Sequence, residues 1–202
     1  MFDEEKKYIF THPPKCAGAS IAIGIGLWKD QGGEMFKRYK KLLHRSLTEN
    51  IIEIENLNLN YEDFFKFSLV RNPWDRFVSR YFFELTHNLE FYKKNNLDTF
   101  DEFVKSQYEK FKSKGDRGFL KIEPFYYHNG KYSMDYIVKQ ENFESDFLYV
   151  CGKIDIKDPK ITHYDQGTKR VNSDYKNMYK RETKKMIEDM GSDSIEMFEY
   201  SF

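Results

Sequence analysis

The same strand–turn–helix pattern occurs twice in the first half of the chain, and this repetition constrains the fold more than any other feature. Residues 8–12 form a short apolar run that ends at Pro13-Pro14, and residues 20–28 then have the spacing of a helix. Residues 65–70 form a second apolar run, which also ends at a proline turn and leads into a helix. Strands that alternate with helices favour parallel pairing. We therefore predict an α/β fold with a central parallel β-sheet flanked by helices.

Helix-start signals and apolar spacing place the remaining elements. Ser46 and Glu49, and again Thr99 and Glu102, have the spacing of a capping box that opens a helix. Apolar residues at helical spacing indicate a long helix after the second turn and an amphipathic helix near the end of the chain. The elements predicted beyond the two turns are helices from 77 to 89, 99 to 111, 142 to 151 and 175 to 190, a third strand from 132 to 139, and an irregular polar stretch from 155 to 173.

Length and composition exclude several classes of protein. The 202 residues fit one domain spanning 1–202, and an aromatic content of 18% argues against disorder. The 33 basic and 33 acidic residues balance, which argues against a nucleic-acid protein with a basic face. Two cysteines are too few for a disulfide framework. No apolar run is long enough for a membrane span and the start, MFDEEKKYIF, is unlike a secretory signal, so we expect a cytoplasmic protein.

The first turn, PPKCAGASI, has the residues of an anion site. The small side chains of Ala17, Gly18 and Ala19 let the backbone approach a ligand, and the N–H groups at the start of a helix favour phosphate or sulfate. Lys15 adds a full positive charge and Ser20 adds a hydroxyl. The lysine precedes the glycine, so this is not a Walker A loop. A tight turn with an exposed lysine is the alternative interpretation.

The second turn, VRNPWDRFVSRY, repeats this arrangement with an arginine. Arg71 follows the strand, Pro73 makes the turn, and Ser79 lies about two turns along the next helix. A guanidinium binds phosphate bidentately, and the hydroxyl of Ser79 can donate to the same group. Asp75 and Arg76 are adjacent acid and base, and we expect them to be structural partners or a helix cap.

The two turns together resemble the two nucleotide-binding motifs of sulfotransferases that use PAPS, 3′-phosphoadenosine 5′-phosphosulfate. The second turn matches the family pattern R-[ND]-P-x-x-R-x-x-S-x-Y at every fixed position. The histidine before the first turn and the ending IEMFEYSF are similar to the carbohydrate (type 2) branch, and DYIVKQENF at 135–143 also resembles a family strand. Ala19 departs from the usual Thr or Ser, with Ser20 as the alternative hydroxyl donor.

This resemblance implies a P-loop-like three-layer fold and in-line transfer of a sulfuryl group from PAPS to an acceptor hydroxyl, with a small molecule or glycan as acceptor. It assigns Lys15 to the leaving-group oxygen and the N–H groups of Cys16 to Ser20 to the 5′-phosphate. Arg71 and Ser79 would bind the 3′-phosphate. The loop QGTKR, with Lys169 and Arg170, would close over the nucleotide, or else be a solvated loop. No metal is needed, and the sequence has no cluster of metal ligands.

The catalytic base is expected among the histidines. His44 lies between the two motifs, where the related branch places an acceptor-facing segment, and it is the predicted base. His87, on the helix after the second turn, is the second candidate, and Glu84 is a carboxylate alternative. We expect structural or loop positions for the remaining histidines, His12, His128 and His163.

Two other functions compete with this interpretation. A non-catalytic nucleotide- or glycan-binding module would explain Ala19, because one hydroxyl donor to the 5′ end is missing. A P-loop kinase-like phosphotransferase requires a Walker A glycine, which this turn lacks. The chain has no transmembrane stem of the kind found in Golgi relatives, so it resembles a bacterial or viral version.

Overall fold

A computed structural model describes residues 1–27, 42, 44–162 and 174–202. The strands, in chain order, are β1 (Phe2–Asp3), β2 (Tyr8–Phe10), β3 (Phe65–Val70), β4 (Tyr127–His128), β5 (Lys131–Tyr132) and β6 (Tyr136–Lys139). The α-helices of these residues are α1 (Gly18–Gly24), α2 (Leu47–Asn56), α3 (Pro73–Lys94), α4 (Phe100–Lys114), α5 (Glu123–Tyr126), α6 (Phe143–Lys153), α7 (Arg181–Met190) and α8 (Ser192–Phe198).

Contacts divide the chain into two compact units. The first unit contains Met1–Val70 and Ile122–Tyr164, and the second contains Arg71–Lys121 and Asp165–Phe202. Each unit has a hydrophobic core of its own. The single domain expected over residues 1–202 stays a prediction.

The sheet of the first unit has the strand order β1-β2-β3-β6. β2 pairs in parallel with β3, and β3 pairs in parallel with β6, with Ser68 opposite Ile137. This confirms the α/β class and the parallel sheet. The antiparallel edge strand β1, in which Phe2 lies opposite Ile9, was not predicted, because two residues are too few to show a strand period.

Helices cover this sheet with apolar side chains. On one face, alternate strand residues such as Phe10 and Phe67 join a cluster with Ile21 of α1 and Phe147 of α6, all of them fully buried. On the other face Ile9 is also fully buried. Burial on both faces explains why β3 is an almost continuous apolar run, as predicted for residues 65–70.

Several predicted elements have different bounds in the structure. The capping box of Ser46 and Glu49 is confirmed at the start of α2. The strand expected from 132 to 139 is two strands that belong to different sheets. β5 pairs with β4 across a turn at Asn129 and Gly130, with φ of 49° and 74°, whereas β6 pairs with β3. Asn-Gly is a strong signal for such a hairpin, and it was present in the sequence. The helix expected from 175 to 190 is a 3₁₀ turn at Tyr175–Met178 followed by α7.

The second unit is built from helices in its described residues. Side chains of α3, α4 and α7 form its core, and Trp74, Phe77, Phe103, Ile187 and Met190 are all buried there. α3 bends at Asn88, where φ is −137° and ψ is 28°. The long helix expected from 77 to 89 is therefore confirmed and extends beyond both predicted ends.

Two helical glycines of the first unit provide a matched test of this packing. A Cβ on Gly24 would lie 2.4 Å from Cζ of Phe147 and 2.8 Å from the carbonyl oxygen of Lys160, whereas a Cβ on Gly152 would meet nothing within 4 Å. We expect Gly24→Ala to lower the free energy of unfolding by about 1–3 kcal/mol through overpacking. Gly152→Ala should raise it by about 0.5–1 kcal/mol, because alanine favours the helix. Urea denaturation measures both, and stabilisation by Gly24→Ala would contradict the packing described.

Candidate functional site

Three hydrogen bonds hold Thr11, the residue that follows β2 and leads into the first turn. The N–H of Thr11 donates to the carbonyl oxygen of Phe67 at 3.1 Å, and Ser68 Oγ donates to the carbonyl oxygen of Thr11 at 2.8 Å. Thr11 Oγ1 donates to the carbonyl oxygen of Phe125 at 2.8 Å. The chain therefore leaves β2 from a position fixed to both β3 and α5.

The backbone of the turn is strained at two non-glycine residues. Lys15 and Ala17 both have φ of 66°, in the left-handed region. This conformation costs roughly 1–2 kcal/mol for a residue with a Cβ. Such strain persists where the surroundings impose it, and it is concentrated at ligand-binding and catalytic sites. The observed strain therefore supports a functional role for residues 15–17.

Gly18 is required by its contact with His12. A Cβ on Gly18 would lie 2.2 Å from Nδ1 and 2.4 Å from Cγ of the His12 ring, so no larger residue fits. The His12 ring also stacks on Phe10, with centroids 5.3 Å apart, and it is 3% exposed. The histidine thus fills the space between β2 and the start of α1. Sequence gave no signal of this contact, since the two residues are separated by a turn.

His44 lies against the same histidine. The two rings meet edge to face with centroids 4.6 Å apart, and His44 Nδ1 is 3.1 Å from the carbonyl oxygen of His12. A carbonyl oxygen only accepts hydrogen bonds, so Nδ1 carries the proton in this contact. In the neutral ring Nε2 is then the nitrogen with the lone pair. The structure therefore brings the predicted base to the residue that precedes Pro13-Pro14-Lys15.

The electrostatic environment keeps His12 uncharged. Burial, reinforced by the neighbouring His44 and the amino terminus, lowers the pKa of His12 well below its usual value of 6.5. Of this contacting pair, His12 is therefore the histidine that stays neutral in the folded protein.

The other residues of the first turn differ in accessibility. Cys16 is fully buried in the core of the first unit and fills space there. Ser20 is 4% exposed and lies within α1. Lys15 and Ala19 are half-buried. α1 begins at Gly18, two residues before the predicted start, with Ala17 as its N-cap.

The second turn is fixed by a helix cap. Asn72 Oδ1 accepts the N–H of Trp74 at 3.1 Å, and Pro73 occupies the first helical position. Asn72 Nδ2 donates to the carbonyl oxygen of Ser201 at 3.0 Å, which ties the start of α3 to the end of the chain. The Asn-Pro pair of the motif therefore has a local structural cause.

The charged residues of the second turn pair differently from what adjacency suggests. Asp75 binds Arg71, whose Nε and Nη2 each lie 2.7 Å from Asp75 Oδ2. Arg76 is 2% exposed and donates to the carbonyl oxygen of Phe119. Asp75 therefore pairs with Arg71, four residues earlier, where the sequence led us to expect Arg76. The helix cap is Asn72. Ser79 is half-buried in the second turn of α3.

The comparison with protein families agrees with these two turns. The model of the Sulfotransferase family matches residues 1–201. This chain belongs to the sulfotransferase family. The match covers both turns and confirms the family and the fold class predicted from them. No curated protein and no solved structure gave a match.

The alternative bases of this sulfotransferase have other contacts. His87 is exposed on α3 and its Nδ1 donates to the carbonyl oxygen of Phe83 at 2.8 Å. Glu84 is 5% exposed, forms an ion pair with Arg80 and accepts from Asn88 Nδ2 at 2.8 Å. The structure therefore shows Glu84 in an ion-pairing role within α3.

The remaining histidine that the structure describes lies on β4 and not in a loop. His128 Nδ1 is 3.1 Å from Thr48 Oγ1, and its Nε2 is 3.0 Å from Asn129 Nδ2. The predicted site residues outside the described part of the sulfotransferase are Lys169 and Arg170, together with the predicted loop residue His163.

Within 1–27, 42, 44–162 and 174–202 no group of three or more His, Cys, Asp or Glu side chains is placed to hold a metal ion. Among the helices of that same part of the chain, none combines the length and the apolar character needed to cross a bilayer.

The lowered pKa of His12 predicts a pH-dependent stability. Below about 6.5 the unfolded chain binds a proton at His12 that the folded protein does not, so the free energy of unfolding should fall as the pH drops from that value. The slope should reach at most about 1.4 kcal/mol per pH unit. Urea denaturation at several pH values measures it. His12→Asn should flatten the slope, whereas His87→Asn is the control on an exposed histidine. An equal slope in wild type and His12→Asn would contradict the assignment.

Proposed function

We propose that this sulfotransferase moves a sulfuryl group from PAPS to a hydroxyl group of a carbohydrate acceptor, with His44 as the catalytic base. The observation that carries the proposal is the position of His44. Its Nδ1 is bound to the carbonyl oxygen of His12, which is followed directly by the turn that bears Lys15. This hydrogen bond attaches the proposed base directly to the turn that carries the proposed catalytic lysine.

The donor set of the two turns fits an anionic nucleotide. Residues 11–20 contain a lysine and a serine but no carboxylate. Lys15, Ser20 and the N–H groups of Cys16 to Ser20 would hold the 5′-phosphosulfate, while Arg71 and Ser79 would hold the 3′-phosphate. Lys169 and Arg170, which lie outside the described residues, stay candidates for contacting the nucleotide. Ala19 lacks the family's usual hydroxyl, which leaves that donation to Ser20.

His44 would remove the acceptor proton during transfer. PAPS supplies a sulfuryl group that is activated by its bond to phosphate. Nε2 of His44 accepts the proton of the acceptor hydroxyl, and the resulting imidazolium keeps its Nδ1–H bond to the carbonyl oxygen of His12. That carbonyl oxygen stabilises the positive ring, and the neutral His12 ring adds no repulsion.

Lys15 would act on the charge that develops on the departing phosphate. The backbone of Lys15 is strained, and the next residue, Cys16, is buried in the core of the first unit. The Cα of the lysine is therefore held in place. A fixed charge that meets growing negative charge stabilises the transition state more than the bound substrate. The lysine is therefore assigned to catalysis as well as to binding.

A transfer assay with sulfur-labelled PAPS and a panel of glycans tests the proposal. Incorporation of label into a carbohydrate supports it. Binding of PAPS without transfer to any acceptor class would favour the non-catalytic module instead, and failure to bind PAPS would contradict both.

His44→Asn is the sharpest substitution at the base. Asparagine tolerates the left-handed backbone that His44 adopts, with φ of 60°, and its side-chain N–H can still donate to His12, but it cannot accept the proton. We expect turnover to fall by roughly 10²- to 10⁴-fold with PAPS affinity unchanged. His87→Asn is the matched control, because His87 Nδ1 also donates to a backbone carbonyl oxygen. Near-normal turnover of His44→Asn at saturating acceptor would remove His44 from the mechanism.

Lys15→Ala should lower turnover more than it lowers PAPS affinity. The reason is that the lysine meets charge that is largest in the transition state. Titration of PAPS and single-turnover kinetics separate the two effects. If affinity falls while bound substrate reacts at the normal rate, Lys15 acts only as an anchor for the ground state. Alanine at this left-handed position keeps a Cβ, so the backbone strain is the same in both proteins.

A further inference from the structure

We propose that Asp75 is a positioning residue that fixes the guanidinium of Arg71 and thereby determines how strongly the protein prefers nucleotides with a 3′-phosphate. The inference rests on the proposed function, in which Arg71 binds that phosphate. Asp75 occupies a variable position of the motif, between the fixed proline and the fixed arginine, so the motif itself assigns it no role.

The contact between the two side chains is close and sheltered. Both Nε and Nη2 of Arg71 lie 2.7 Å from the same oxygen, Asp75 Oδ2. The two side chains are 13% and 14% exposed. Two donors on one edge of a planar group fix its plane as well as its position, which a single hydrogen bond does not.

Asp75 is itself attached to a rigid element. It lies in the first turn of α3, a helix of 22 residues, and its N–H donates to the cap residue Asn72 at 3.4 Å. Arg71 precedes the cap and is outside the helix. The helix therefore orients the Asp75 carboxylate, and the carboxylate in turn orients the guanidinium.

The geometry suits recognition of a phosphate. Asp75 accepts from the side edge of the guanidinium, made by Nε and Nη2, and this sets the direction of the end-on fork of Nη1 and Nη2, which matches two phosphate oxygens. Arg76, the other fixed arginine of the motif, instead donates to the carbonyl oxygen of Phe119 and is 2% exposed.

The carboxylate has a second, opposing effect. Its negative charge repels the 3′-phosphate that Arg71 attracts, so Asp75 both orders the arginine and reduces the local positive charge. Two substitutions separate these effects. Asp75→Ala removes the orienting oxygen and the charge together, whereas Asp75→Asn keeps an oxygen acceptor and removes only the charge.

The test is calorimetric titration of the full chain with 3′,5′-ADP and with 5′-AMP. Asp75→Ala should weaken binding of 3′,5′-ADP by about 5- to 20-fold and change binding of 5′-AMP by less than about twofold, the scale of one oriented charge-assisted contact. Asp75→Asn should bind 3′,5′-ADP at least as tightly as the wild type. Arg71→Ala removes the guanidinium itself and should therefore show the smallest ratio of 3′,5′-ADP affinity to 5′-AMP affinity. Asp193→Ala is the matched control, because it removes an arginine-bound carboxylate elsewhere in the second unit.

Three results would overturn the inference. Asp75→Ala could leave the wild-type ratio of the two affinities unchanged, whether both affinities stay as they are or both fall by the same factor; an equal fall would indicate damage to the fold. Asp75→Asn could lose as much as Asp75→Ala, in which case the orienting oxygen makes no difference. A wild-type protein that does not prefer 3′,5′-ADP over 5′-AMP contradicts the proposed function itself, and this outcome is read before any variant is compared.

Discussion

The packing of His12 against Gly18 is the contact on which the first turn depends. It joins β2 to the start of α1 at van der Waals distance, and the backbone carbonyl oxygen of the same histidine accepts a hydrogen bond from His44 Nδ1. Because the ring fills the space beside Gly18, the turn between them has little freedom to relax. The left-handed conformations of Lys15 and Ala17 are thereby imposed from both ends, by Thr11 on one side and by α1 on the other.

His12 is also in contact with His44, so two ionisable rings lie side by side. His12 is 3% exposed and contacts a second histidine, and the folded state tolerates this contact at neutral pH when one of the two rings is uncharged. Burial resolves this by lowering the pKa of His12. His44, by contrast, is half-buried, and its Nδ1 donates to the carbonyl oxygen of His12. The two contacting histidines thus differ in environment, and the role of base proposed for His44 rests on that difference and not on residue type.

Sequence predicted the parts of this protein that are encoded locally. The strand Phe65–Val70, the capping box of α2 and the family are all confirmed, because apolar runs, cap spacing and motif spacing are read within a few residues. The division of the predicted third strand between two sheets depends on tertiary pairing, whereas Asn129-Gly130 indicates only the β4–β5 hairpin. The pairing of Arg71 with Asp75 differs from the partnership expected from the adjacency of Asp75 and Arg76, although its i,i+4 spacing is visible in the sequence. The contact of Gly18 with His12 could not be found, since it depends on the tertiary path of the turn.

The second turn shows why a binding motif contains more fixed positions than a ligand can touch. Asn72 and Pro73 start the helix, and the Arg76 side chain is buried against the backbone of Phe119, so three fixed positions have causes within the fold. These contacts explain the asparagine, the proline and the second arginine without any nucleotide. Arg71 and Ser79 are the fixed positions that the proposed function assigns to the nucleotide. Arg71 precedes the cap and pairs with Asp75, and Ser79 is half-buried in the second turn of α3. The motif therefore separates into residues that build the turn and residues whose identity is best explained by the anion proposed to bind there.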